Sequence, residues 1–157
     1  MNKSHIAFEL DIDPSLIAHQ SVRTASQVVG GAAVTRYYQP QKKVRLKQQL
    51  KMLIRQAVKG KVDLNAQADA CVYITKLEYR FAPPKSMPKH KLKLIEEGKV
   101  LPKNTKPDLG DNLNKLLFDA MSKVVYFDDS RIVSMANVSK CYAKKSGISV
   151  ELTIEWE

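Results

Sequence analysis

Between Pro107 and Asp129 the chain carries five aspartates, Asp108, Asp111, Asp119, Asp128 and Asp129, against only Lys115 and Lys123. Asp108 and Asp111 straddle the start of a predicted helix, and Asp129 lies in the turn that follows it. An oxygen-only set of two or three carboxylates suits Mg²⁺ or Mn²⁺, which retain waters and complete their octahedron with phosphate oxygens. Such an ion would bridge carboxylates to a phosphodiester that they would otherwise repel, and would acidify a water for in-line attack. Lys115, one turn beyond Asp111, would place positive charge where charge develops on the phosphate. The same spacing also suits plain structure. Aspartates cap helices and fill turns, Asp111 is well placed as an N-cap, and Lys115 is an i,i+4 partner for Asp111 or Asp119. Asp119 itself reads as a surface or helix-pairing residue. His5, His19 and His90 are scattered, and Cys71 and Cys141 lack CxxC spacing, so neither a zinc site nor a disulfide framework is indicated. The cysteines read as ordinary strand residues in a reducing compartment.

The charge around this acidic knot has the opposite sign. The chain of 157 residues carries a formal +10. Nine of its basic residues fall between Arg36 and Lys61 with no acid among them: Arg36, Lys42, Lys43, Arg45, Lys47, Lys51, Arg55, Lys59 and Lys61. A second cluster, Lys85, Lys89, Lys91, Lys93, Lys99, Lys103 and Lys106, is offset only by Glu96 and Glu97. A merely solvated helix mixes its signs, so the first window reads as a polyanion-binding surface. Lys42, Lys43, Arg45, Lys47, Lys51, Arg55, Lys85, Lys89, Lys91 and Lys106 are the residues expected to contact nucleic acid.

The elements that must hold these groups can be read from periodicity. Ile6, Phe8, Leu10 and Ile12 alternate as in a strand with one buried face. Residues 13 to 40 show no sustained period and read as a long mobile connection, whose length exceeds that of an ordinary loop and points either to a functional loop or to structure that the period does not reveal. Leu46, Leu50, Leu53, Ile54 and Ala57 mark an amphipathic helix over residues 41 to 59, ended by Gly60. Residues 69 to 81 read as a strand whose alternation slips near Thr75, which predicts a bulge there. A short lysine-rich helix entered through Pro88 follows. The clearest helix after the first spans residues 111 to 123, with Leu113, Leu116, Leu117, Ala120 and Met121 on one face. At 1.5 Å per residue it is about 20 Å long, so the acidic turn after it must fold back for Asp129 to meet Asp111. Two strands close the chain, residues 132 to 142 and 148 to 156. This order predicts an α/β fold with a mixed β-sheet and two main helices, in one domain over residues 1 to 157. No apolar run is long enough to span a membrane, and no signal-type block opens the chain.

The run Thr105-Lys-Pro-Asp-Leu-Gly-Asp-Asn-Leu-Asn-Lys115, then Phe118-Asp-Ala-Met121, then Val124-Val-Tyr-Phe-Asp-Asp-Ser-Arg-Ile132, resembles the RusA family of Holliday junction resolvases. That family has a pattern like KPDxDNLxK, then DAL, then DDxQI. Phe81-Ala-Pro-Pro-Lys-Ser86 is similar to its phage-type members. The resemblance covers residues 79 to 156 well and residues 1 to 78 loosely. It implies a Mg²⁺-dependent homodimeric endonuclease that cuts four-way DNA junctions symmetrically in recombination and repair, in the cytoplasm of bacteria and encoded by them or their phages. The family's metal-binding aspartates fall on Asp111 and Asp129, and its essential lysine on Lys115. Its first aspartate belongs two residues before Asp111, where this chain has Leu109. Asp108 lies one residue further away, and a backbone bulge at Gly110 would let it still reach the ion. Arg131 stands where the family often has Gln.

Two other functions fit parts of the same pattern. A non-catalytic basic DNA-binding protein would keep the charged surface and use the aspartates as caps. A metal-dependent nuclease for flaps, forks or plain duplex would keep the metal and change the substrate.

Overall fold

The computed structural model describes residues 1–18, 23–38 and 41–157. Strand β1 (Asn2–Leu10) pairs antiparallel with β8 (Gly147–Trp156) over its whole length, from Asn2 opposite Trp156 to Leu10 opposite Ile148. Strand β4 (Cys71–Phe81) runs antiparallel to β8 on one side and parallel to β6 (Ile132–Met135) and β7 (Val138–Tyr142) on the other. The short β5 (Leu101–Pro102) pairs antiparallel with the far side of β7, completing a mixed sheet.

One face of this sheet is apolar because successive side chains point to opposite sides. Ile6, Phe8 and Leu10, Val72, Ile74, Leu77 and Tyr79, and Ile148, Val150, Leu152 and Ile154 are all buried. The helices α1 (Gln41–Ala57) and α3 (Lys115–Met121) pack on each other over this core. They bury Leu50 and Ile54 from α1 and Leu116, Leu117, Ala120 and Met121 from α3. The short α2 (Lys89–Glu96) is entered through Pro88, as expected, and buries only Ile95. The opposite sheet face is polar. There the Arg80 guanidinium bridges Glu9 at 2.8 Å and Glu78 at 3.0 Å.

The slip in alternation at Thr75 is a bulge. The β4–β8 register shifts between Ile74 and Lys76, and the Thr75 hydroxyl donates to the Glu151 carbonyl at 3.0 Å. The strand expected over residues 132 to 142 is broken at the same level. Asn137, at φ 52°, divides β6 from β7, and its side-chain amide donates to the Thr75 carbonyl at 3.0 Å. The break in one strand thus matches the bulge in its neighbour.

The described parts of residues 13 to 40 form regular elements and not the mobile connection that their lack of period suggested. Pro14–Ile17 forms a 3₁₀ turn, and β2 (Arg23–Val29) and β3 (Ala32–Tyr38) form a hairpin in a separate two-stranded sheet. Gly30 and Gly31 both have positive φ, 58° and 81°, as a two-residue hairpin turn of matching twist requires. His19 and Pro40 lie outside the described residues. No helix among the described residues is long and apolar enough to cross a membrane, and Cys71 and Cys141 are free thiols.

Candidate active site

The helix expected from Asp111 begins two residues earlier and in a different form. Residues Leu109–Asn114 make a π-helical turn, with Asp108 as N-cap, and α-helical geometry starts only at Lys115. The Leu113 amide donates to the Asp108 carbonyl at 3.1 Å, a five-residue step that accommodates one more residue than an α-turn. Gly110, where a backbone bulge was expected, lies in this π-helical turn without positive φ. Nor is Asp111 an N-cap, because it lies inside the π-helical turn. Its side chain falls outside what is described.

Contacts from β4, from β7 and from Lys103 just after β5 hold this segment and the stretch leading into it. The Tyr79 hydroxyl, on the inner face of β4, donates to Asn114 Oδ1 at 2.7 Å, and both residues are buried. Burial pushes the Tyr79 phenol well above its ordinary pKa, which keeps it a donor. On β7, Lys140 lies beside Tyr79 in register and donates from Nζ to the carbonyls of Thr105 at 2.6 Å and Pro107 at 2.8 Å. Lys103 donates to Thr105 Oγ1 at 2.7 Å and lies over the rings of Phe81 and Tyr142. Lys103 was legible only as a member of the second basic cluster, and none of Tyr79, Asn114, Lys140 or Tyr142 stood out as a site residue in the sequence. Lys140 is separated from the motif by 33 residues, and only the parallel β4–β7 pairing brings it there.

The acidic turn does fold back onto α3. Lys123, at φ 64°, donates its amide to the Tyr126 carbonyl at 2.8 Å, and the Tyr126 hydroxyl reaches the Phe118 carbonyl at 3.0 Å. Asp129 is thereby set beside Asp119. Burial and then the Asp119 and Asp128 carboxylates push the Asp129 pKa up. Asp128 differs, because the Ser130 hydroxyl and amide hold its carboxylate below the ordinary value. Asp119, expected as a surface or helix-pairing residue, is half-buried next to Asp129.

Lys115 is exposed and forms no ion pair with Asp119, which leaves its charge uncommitted to that residue. Asp108 is exposed, and its amide donates to Asn112 Oδ1 at 3.0 Å. Among the described residues, no group of three His, Cys, Asp or Glu is placed to hold a metal ion. The donor chemistry still suits a divalent cation: Asp129 is crowded by two carboxylates, and among the described residues no cation pairs with it.

Of the basic residues, Lys42, Arg45 and Arg55 on α1 are exposed, while Lys47 and Lys51 are half-buried. Lys43 is different, since its ammonium donates to the Ala18 carbonyl, and burial and then Lys42 lower its pKa. It ties α1 to the 3₁₀ turn in addition to any role in binding. Lys85, Lys89, Lys91 and Lys106 are exposed on the approach to the acidic motif.

A protein-family model described as endodeoxyribonuclease RusA matches residues 18–153. The match therefore reaches well into the first third of the chain, where the sequence resemblance was loose. No curated protein shows a significant match.

Proposed function

The chain belongs to the RusA family of endodeoxyribonucleases, and from that premise we propose that it resolves four-way DNA junctions by paired, metal-dependent, symmetrical phosphodiester cuts. One observation of the structure supports this most: the turn carrying Asp129 folds back along α3 and sets its carboxylate beside that of Asp119 on the helix.

Asp108, Asp111 and Asp129 would hold Mg²⁺ or Mn²⁺. When bound, the ion supplies an acidified water and neutralises phosphate charge. The chain's own residues provide the rest. Lys115, exposed at the head of α3, stabilises charge accumulating on the phosphate under attack. Asp119 keeps a second carboxylate beside Asp129, so that negative charge there is fully offset only with a cation present. Lys42, Arg45, Lys47, Lys51 and Arg55 on α1, with Lys85, Lys89, Lys91 and Lys106, contact the phosphates of the DNA arms. Such contacts position DNA without reading its bases, as suits a substrate defined by branching. A two-fold junction needs two equivalent cuts, which a C2 homodimer presents.

The test compares a mobile four-way junction with linear duplex of equal length, each with Mg²⁺ and with EDTA. Mg²⁺-dependent symmetrical cleavage of the junction alone is the expected outcome. Equal cutting of both substrates would instead identify a nuclease of broader specificity. Tight binding with no cleavage in Mg²⁺ would identify a non-catalytic DNA-binding protein. That alternative draws on the absence of a three-carboxylate group among the described residues.

A further inference from the structure

The peptide unit joining Pro107 to Asp108 is held at both ends. Its carbonyl accepts from Lys140 Nζ at 2.8 Å, and its N–H donates to Asn112 Oδ1 at 3.0 Å. The next carbonyl, that of Asp108, accepts from the Leu113 amide at 3.1 Å. The main chain that carries the Asp108 carboxylate is therefore fixed on both sides. Two of these three bonds come from within the π-helical segment. Lys140 is the contribution from the sheet, and it also holds the Thr105 carbonyl at 2.6 Å.

The use of a lysine here is informative. Among the described residues no carboxylate pairs with Lys140, so its charge is directed to two carbonyls within a three-residue stretch. Charge-assisted bonds of this kind are stronger than neutral ones. The stretch needs them, because residues 103 to 108 belong to no helix or strand and Pro107 has no N–H to offer. Lys103 reinforces the same point from the other side through Thr105 Oγ1.

We propose that Lys140 is a positioning residue for the acidic motif, fixing the Asp108 backbone so that its carboxylate stands ready for a divalent cation. The inference rests on the metal-dependent nuclease proposed above. Groups that orient metal ligands without touching the metal typically cost 10–100-fold in metal affinity when removed.

The experiment titrates Mn²⁺ into the DNA-free protein by calorimetry, for wild type, Lys140→Met and Lys140→Arg, alongside junction binding in EDTA and amide hydrogen exchange. Lys140→Met is expected to weaken Mn²⁺ binding by about tenfold or more. It should also speed exchange at the Asp108 and Leu113 amides, while amides of the β1–β8 ladder and junction binding in EDTA stay near wild type. Lys140→Arg, which keeps charge and donors, should recover most of the affinity. Should Lys140→Met not fold, Lys140→Gln gives the same comparison with one donor retained. Unchanged Mn²⁺ affinity in a folded variant, with wild type binding the metal and cleaving junctions, would overturn the positioning role alone. A wild type that neither binds Mn²⁺ nor cleaves would overturn the nuclease assignment, and the positioning role with it.

Discussion

Tyr79 and Asn114 meet inside the core, where the hydroxyl on the central strand β4 donates at 2.7 Å to the side-chain carbonyl of the last residue in the π-helical turn. The next residue is Lys115, so this bond sets where α3 begins relative to the sheet.

Tyr79→Phe should therefore leave a buried acceptor without its donor, at a cost of about 1–3 kcal/mol in urea denaturation. Cleavage should fall along with stability, since the position of Lys115 depends on the same contact. Adding Asn114→Leu to Tyr79→Phe should cost much less than the sum of the two single changes, because the double variant has no orphaned group.

Gly110 sits in the π-helical turn without positive φ, and a Cβ built there meets nothing within 4 Å. Gly110→Ala should accordingly be neutral or stabilising by about 0.5–1 kcal/mol, the usual difference between the two residues inside a helix. Junction cleavage should be retained. A large loss of stability would mean that the glycine is needed for its backbone freedom, as the sequence alone suggested.

Asp129 gives a pH dependence of unusual sign for a carboxylate. Burial and then its neighbours Asp119 and Asp128 raise its folded pKa, so the folded state holds the proton to higher pH than the unfolded state does. With divalent metals removed, this group's contribution to stability is present below the unfolded pKa and is lost as pH rises through the raised folded pKa. Asp119→Asn removes the first-named of the two neighbouring charges. It should flatten that part of the pH profile and raise the melting temperature near neutral pH in EDTA, by on the order of 1–2 °C. Thermal melts across pH 4 to 7 check both. In saturating Mg²⁺ the advantage of the variant should disappear or reverse.

Lys43 and Arg55 lie on the same helix but should behave differently. Arg55 is exposed, so Arg55→Gln should lower the slope of log affinity against log salt by about one without changing stability. Lys43 is committed to the Ala18 carbonyl, so Lys43→Gln should lower the melting temperature. Salt titrations of junction binding, set beside thermal melts, separate the two effects.

These contrasts show what sequence can and cannot convey here. Amphipathic period marked α1, and alternation marked β1 and β8, because each sends its periodic apolar residues into the core: Leu50 and Ile54, Ile6, Phe8 and Leu10, and Ile148, Val150, Leu152 and Ile154. The slip at Thr75 was legible for the same reason: a bulge shifts every later side chain by one. The β2–β3 hairpin was not legible from period, since its larger apolar residues fall in adjacent pairs, Val28-Val29 and Tyr37-Tyr38, instead of alternating, although the Gly30-Gly31 pair carried its turn signal. The π-helical turn was invisible because its sequence reads equally well as an α-helix entered at Asp111. Of the site, the aspartates and Lys115 stood out by type and spacing. Their supports did not, because Tyr79 and Lys140 reach the motif through strand pairing across 35 and 33 residues.

The central claim is that the acidic motif holds a divalent cation for cutting junction DNA, and Asp111→Asn tests it most directly. The measurement is cleavage of a synthetic mobile four-way junction in Mg²⁺, with junction binding followed in EDTA. Wild-type binding with cleavage lost is the expected result, by a factor on the order of 10² or more for removal of a group that stabilises the transition state. Cleavage by Asp111→Asn at the wild-type rate in Mg²⁺ would contradict it.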